Sequence, residues 1–264
     1  MTQTKSNRLK LVLTKITRYF RRLAEAPRLA LIHAIRVIGE TSFDESRHRS
    51  TIQKHLLNRA NESSAIFIEK YLPDVLLFTN DKEIRTFSVS LCKENQLGNQ
   101  NQYTCLEFGV WKGESLGFWS SQFPNAKVVG FDSFEGLSEN WGGTGMPKGT
   151  FNLAGVAPRV SDNVELVAGW VEDTVEGYLG SNVLGTIMLV HLDLDTFTPT
   201  SVVLRALAPY LKKGGLLLFD EYFGYPGWQH GEHKALVESG LNFRYLAFST
   251  GISTGVNQAL VEII

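Results

Sequence analysis

From Tyr103 onward the chain alternates apolar runs of strand length with helical patterns, and no other feature limits the fold as much. Strands are predicted over Tyr103–Val110, Lys127–Ser133, Asn163–Gly169, Thr186–Asp193 and Gly215–Asp220. Helices are predicted over Glu114–Gln122 and from about Thr200 to Leu211. Phe243–Phe248 and Gln258–Ile263 read as strands lying close together, as in a terminal antiparallel pair. Such alternation implies an α/β fold, a mostly parallel, doubly wound sheet with helices on both faces.

In such a sheet, ligands bind beyond the carboxyl ends of the strands, near the switch in strand order. The residues at those ends are Glu107 to Gly113, Asp132, Gly169 to Asp173, Asp193, Asp195, Asp220 and Glu221. Most are acids or glycines, poor choices for a core and good ones for a polar ligand.

Upstream, the texture differs. Between Met1 and Ile38 the basic residues, from Lys5 to Arg36, face a single acid, Glu25. Leu9, Val12, Leu13, Ile16, Phe20 and Leu23 have the spacing of one helix face, with Lys15, Arg18 and Arg22 opposite. A basic amphipathic helix can lie on anionic lipid or serve as an oligomer contact. Pro27 breaks it or starts the next helix, Leu29–Ile38. Thr41–Asn61 reads as a linker or surface helix; Ala65–Phe78 and Lys82–Cys92 look helical, and Lys93–Gln102 reads as a loop. The expected organisation is a basic helical extension over residues 1–64 and an α/β domain over 65–264, with a helical cap at 65–102.

Composition excludes several classes. The 264 residues carry a net charge of -1, so the whole molecule is no polyanion binder. Cys92 and Cys105 make no disulfide framework and point to a reducing compartment. No apolar run reaches the roughly 20 residues that span a bilayer. Met1–Lys10 lacks the apolar core of a secretory signal. A cytoplasmic location is expected, with peripheral membrane contact if the basic helix lies on lipid.

The cofactor end is read from Glu107-Phe108-Gly109-Val110-Trp111-Lys112-Gly113-Glu114-Ser115, which runs from strand to helix. Gly109 allows a tight turn with a ligand near the backbone. Gly113 and Ser115 open a helix whose free N–H groups attract an anion. The Gly-x-x-x-Gly spacing fails the dinucleotide fingerprint. Asp132, followed by Ser133, ends the next strand where an acid can accept both hydroxyls of a ribose, or cap a turn. Trp170 can pack on an adenine face, and Asp173 can read its edge or cap a helix.

At the reaction end, strands four and five finish in His191-Leu192-Asp193-Leu194-Asp195 and Phe219-Asp220-Glu221-Tyr222. Alternation puts Asp193 and Asp195 on one side. Carboxylates this close repel unless a proton or cation is shared. Oxygen ligands suit Mg²⁺ or another hard divalent ion, which lowers the pKa of a substrate hydroxyl. A carboxylate or His191 can take the proton. In the following Pro226–His233 loop, His230 and His233 read as surface residues rather than substrate contacts.

Together Glu107-Phe108-Gly109-Val110 with Gly113 and Ser115, Gly130-Phe131-Asp132-Ser133-Phe134-Glu135-Gly136-Leu137, His191-Leu192-Asp193-Leu194-Asp195 and Phe219-Asp220-Glu221-Tyr222 resemble the macrocin O-methyltransferase family of class I methyltransferases. Pro147–Phe151 and Tyr225–Trp228 add to the resemblance, which covers roughly Tyr71 to the C-terminus. It implies a Rossmann-like, seven-stranded sheet, often oligomeric, with S-adenosylmethionine as methyl donor and Mg²⁺ assistance, acting on hydroxyls of natural-product sugars. By position it implies Asp193, Asp220 and Glu221 as metal ligands and Asp132 on the cofactor ribose. The chain departs from the family at Asp220-Glu221, where an Asp-Asp pair is usual, and at Asp195-Thr196-Phe197, where Asp-Leu-Tyr is usual.

The reading that follows is O-methylation of a small-molecule acceptor, with Asp193, Asp195 and His191 as the catalytic set. A membrane- or partner-recruited protein with a degenerate fold and a nicotinamide oxidoreductase are the alternatives. No nucleic-acid partner is expected, since no base-flipping motif or basic excess is present.

Overall fold

The computed structural model describes residues 51–95, 103–251 and 257–264. The expected basic helix and the helix over Leu29–Ile38 lie outside these residues. Among the described residues, no helix is long and apolar enough to cross a membrane.

Helix α1, Thr51–Glu69, buries Ala60, Ser64, Phe67 and Ile68, the i, i+4, i+7, i+8 stripe of one face. It runs unbroken through position 64, the expected edge of the extension. Helix was expected to continue to Phe78, but it stops ahead of Pro73, whose ring and missing N–H do not fit a helix interior. Residues Leu76–Phe78 form strand β1 instead. Helix α2, Asp81–Asn95, opens with reciprocal caps: Glu83 N–H donates to Asn80 Oδ1 at 3.0 Å, and Thr79 N–H donates to Glu83 Oε2 at 2.9 Å.

The remaining elements are β2 (Tyr103–Phe108), α3 (Glu114–Gln122), β3 (Lys127–Asp132), β4 (Val164–Ala168), α4 (Val171–Ser181), β5 (Thr186–Leu192), α5 (Phe197–Leu207), β6 (Leu216–Phe223), a 3₁₀ turn (Trp228–His230), α6 (Glu232–Glu238), β7 (Phe243–Ser249) and β8 (Asn257–Ile263). Helix α5 starts ahead of the expected Thr200 because Pro199 fits a first helical turn, where no N–H is needed.

The sheet has eight strands in the order β1-β7-β8-β6-β5-β2-β3-β4. The expected seven become eight because β1 pairs with β7 at the edge. Only β8 runs antiparallel, to β6 and β7. Strand pleating sends Leu106, Phe108, Val129, Phe131, Val190 and Leu192 into one apolar layer. Cys105, Val128, Leu189 and Leu218 enter the other. From β2 the chain proceeds outward through β3 and β4, then returns to build β5 and β6 on the opposite side. The crevice at the carboxyl ends of β2 and β5 is therefore the topological switch point. This is a Rossmann-like, doubly wound α/β fold.

Candidate active site

The turn leaving β2 is shaped by its neighbour. Gly109 has φ 89°, and a Cβ there would lie 1.7 Å from the Asp193 carbonyl oxygen. Asp193 N–H donates to the Phe108 carbonyl at 2.8 Å. Glycine is thus required by the meeting of two strand ends, and not only by approach to a ligand.

Asp132 ties this turn to β3. Its Oδ2 accepts from the N–H groups of Val110 at 2.8 Å and Trp111 at 2.7 Å. Its Oδ1 accepts from Phe134 N–H at 2.6 Å. A carboxylate offers about four lone-pair sites, so capacity remains toward a ligand. Asp132 lines a cavity of about 280 Å³ together with Gly109, Trp111, Ser133, Trp170 and the acids at the ends of β5 and β6.

The other expected cofactor contacts lie outside that lining. Phe108 is buried, stacked on Phe131 at 4.6 Å. Gly113 opens α3 at φ 80° and Ser115 is buried behind it. Asp173 lies in the first turn of α4, where its N–H donates to the Trp170 carbonyl. Glu107 faces into the protein, where its Oε1 accepts from Ser115 Oγ at 3.0 Å.

Behind the wall runs a buried polar chain. Glu107 on β2 lies in register with His191 on β5, and both are fully buried. His191 Nδ1 is 3.1 Å from Glu107 Oε2, and its Nε2 is 3.1 Å from Asp220 Oδ1. Asp220 Oδ1 also takes Arg85 from α2 at 2.9 Å and the Gln258 amide. Burial disfavours a charged ring, but hydrogen bonds to Asp220 and Glu107 outweigh it and push His191 up to about 10. An imidazolium donating from both nitrogens has no lone pair to act as a base. His191 is also fully buried and outside the cavity lining, which places it behind the site and not at an acceptor hydroxyl, where the expected role of proton acceptor requires it. Burial also opposes the Asp220 charge, but His191 and Arg85 hold its carboxyl well below the usual range.

Asp193, Asp195 and Glu221 bring one carboxylate oxygen each within 4.8 Å of one another. Strand pleating was expected to align the two aspartates. Instead β5 ends at Leu192, and Asp195 turns back in the left-handed region, at φ 63°. Burial raises all three carboxyls well above their ordinary values, with Asp220 adding most to Asp193, Glu232 to Asp195, and Asp193 to Glu221. Glu221 Oε2 is buried without a hydrogen-bond partner. All donors here are oxygens, and the orphaned one suits a hard cation. His191, Asp193 and Asp220 also approach one another, but both His191 nitrogens and one Asp220 oxygen are already engaged, so Asp195 rather than the expected Asp220 groups with Asp193 and Glu221.

Two further residues were not foreseen. Glu232, fully buried at the start of α6, accepts Leu194 N–H at 3.3 Å and Glu221 N–H at 3.1 Å, so one side chain clamps both acid-bearing segments. Arg85 neutralises Asp220 from a helix far away in sequence. Glu232 lies in the same loop-to-helix segment as His230 and His233. His230 is exposed, as expected. His233 is half-buried, 3.0 Å from the Tyr222 hydroxyl, and burial pushes it down to about 4.

Comparison with known proteins points to methyltransferases. A family described as "Methyltransferase domain" matches residues 106–222, from β2 into β6. The curated 8-demethyl-8-(2,3-dimethoxy-alpha-L-rhamnosyl)-tetracenomycin-C 4'-O-methyltransferase of Streptomyces olivaceus is 26% identical across 52% of this chain and 60% of its own length. The match therefore spans less than two thirds of that relative. The crystal structure of CalS11, a calicheamicin methyltransferase, is 23% identical and superposes with a TM-score of 0.52, covering 81% of this chain and 94% of that one.

Proposed function

We propose that this chain is an S-adenosylmethionine-dependent O-methyltransferase acting on a hydroxyl of a sugar or natural-product-like small molecule, assisted by Mg²⁺ or another hard divalent ion. The observation that carries this reading is one cavity lined by two chemically different sets of residues. One set is Asp132 and Trp170, and the other is Asp193, Asp195 and Glu221. The first suits a ribose and an adenine face. The second suits an acceptor oxygen that must lose a proton.

S-adenosylmethionine supplies an electrophilic methyl group on a sulfonium, so the protein's task is chiefly to orient the reactants. Asp132, fixed by three backbone N–H groups, holds the ribose hydroxyls. Glu107 and Ser115 support the turn from behind. Asp193, Asp195 and Glu221 are the residues that would hold the cation, with Asp220 braced beside them by Arg85 and His191. The ion would lower the acceptor pKa. A nearby carboxylate outside the set that holds the ion would accept the hydroxyl proton. The motifs that resemble macrocin O-methyltransferases support Asp193 and Glu221 in this role, with Glu221 standing where an aspartate is usual; they imply Asp220 as the third ligand, where the grouping of oxygens favours Asp195.

The test is transfer of labelled methyl from S-adenosylmethionine to a panel of glycosides, with and without EDTA. Transfer that stops with EDTA and returns with Mg²⁺ is expected. Unchanged turnover in EDTA removes the metal and leaves methyl transfer standing. No transfer to any hydroxylated acceptor counts against the whole reading.

A further inference from the structure

Positive charge is gathered at the front of the chain and negative charge in the rest. Half of the 26 Lys and Arg residues precede Glu62, together with only four of the 27 acids. The α/β domain that follows is therefore acidic, and the overall net charge of -1 conceals the separation. Such asymmetry between parts of a chain marks a segment that meets a charged partner.

The start of α1 belongs to the basic part. From Thr51 to Asn61 it carries Lys54, His55 and Arg59 and no acid. Burial on this helix begins only at Ala60. Ahead of it, Ile52 is 72% exposed and Leu56 47%. Four residues apart, they lie on one side of the helix, and His55 and Arg59, each three positions further on, flank them. Single exposed apolar residues are ordinary on a surface. Here two share a face with two basic side chains.

The N-terminal sequence has the same make-up. Leu9, Val12, Leu13, Ile16, Phe20 and Leu23 repeat at helix spacing, and nine Lys and Arg residues between Met1 and Ile38 stand against Glu25 alone.

This pairing of chemistries selects the partner. Nucleic-acid phosphates would use the cations but not the apolar stripe. A second copy in a two-fold contact would set each basic surface against itself, where like charges repel. An anionic bilayer satisfies both features. Its headgroups meet Lys and Arg, and its acyl boundary takes an apolar helix face to a depth of about 5–10 Å. The acidic domain is repelled by the same headgroups, but at physiological ionic strength that repulsion fades beyond about 8 Å.

We propose that the basic N-terminal segment and the exposed start of α1 dock on an anionic lipid bilayer and hold the α/β domain beside it. Ile52 and Leu56 enter the acyl boundary, while His55 and Arg59 meet the headgroups. The inference does not depend on the methyl-transfer reading.

Co-sedimentation of the full chain with lipid vesicles tests it. The vesicles are phosphatidylcholine alone, or phosphatidylcholine with about one-third phosphatidylglycerol. Two variants accompany the wild type: Lys15→Glu/Arg18→Glu/Arg22→Glu, and Ile52→Asp/Leu56→Asp. The second alters only exposed side chains, so its fold is retained. The wild type should pellet with the mixed vesicles and stay in solution with phosphatidylcholine alone. Raising salt from about 0.1 M to about 1 M, which shortens the screening length from ~10 to ~3 Å, should release most of it, an effect that needs no variant. The triple reversal should weaken binding at least ~30-fold, since each basic residue near an anionic surface contributes about fivefold. The double variant should weaken it at least ~10-fold through lost apolar burial. Equal binding to both kinds of vesicle, no binding to either, binding indifferent to salt, or wild-type affinity in either variant overturns the proposal. Tighter binding to polyuridylic acid than to the mixed vesicles overturns it in favour of a nucleic-acid partner.

Discussion

Gly109 and Asp193 share a space that admits no side chain: a Cβ on the glycine would sit 1.7 Å from the aspartate's carbonyl oxygen. The turn that carries the cofactor end and the turn that carries the acids are thus packed backbone to backbone. Neither can move without the other.

Gly109→Ala is expected to destabilise the fold by about 3 kcal/mol, since both the positive φ and the contact oppose a methyl group. That corresponds to a Tm lower by about 5–10 °C. Calorimetry of the purified variant measures it. A Tm within a degree of the wild type would mean the two turns are looser than described.

His191→Leu should be among the most damaging changes, at about 3–5 kcal/mol, because it leaves Glu107 charged and unpaired in the interior. Asp220 keeps Arg85 and Gln258. Adding Glu107→Leu should recover part of the loss, since an apolar pair tolerates burial. Urea denaturation of the single and double variants checks this, and no recovery would place the cost elsewhere.

Glu232→Ala should cost about 1–3 kcal/mol by orphaning two buried N–H groups. Its kinetic effect should fall on kcat more than on KM for S-adenosylmethionine, because Leu194 and Glu221 flank the reaction end and not the ribose end. Steady-state kinetics would show the split.

The pH dependence has a definite sign. His191, raised to about 10, stabilises fully below its ordinary pKa of 6.5 and loses that contribution as pH climbs through about 10. Asp193, Asp195 and Glu221, also raised, act in the same direction. Metal-free protein should therefore melt progressively lower from pH 7 to pH 10. Added Mg²⁺ should raise the Tm more at pH 8.5 than at pH 6, because it replaces protons the cluster otherwise holds. Equal Mg²⁺ shifts at both pH values would argue against binding among these acids.

The sheet was legible because each strand announces itself by length and by the acid or glycine at its end. The predicted helix over Glu114–Gln122 agrees with α3 to the residue, and the terminal antiparallel pair is present. Strand β1 was not legible, since three residues after a proline carry no period. At the site, Asp132, Ser133, Trp170 and the acids of β5 and β6 line the cavity as their positions implied. Glu107, Ser115 and His191 proved to be a buried support instead. Adjacency on a strand does not tell which pleat faces the ligand. Arg85, Glu232 and Gln258 reach the site from other elements, and nothing local in their surroundings marks them.

Every role proposed for the site depends on Asp132 and its neighbours holding S-adenosylmethionine. Isothermal titration of S-adenosylhomocysteine into the wild type and Asp132→Asn tests it most directly, with circular dichroism confirming that both are folded. Saturable one-site binding to the wild type is expected, weakened at least ~10-fold in Asp132→Asn by loss of a charged acceptor for the ribose hydroxyls. No binding to the folded wild type, or equal affinity in the two proteins, would contradict it.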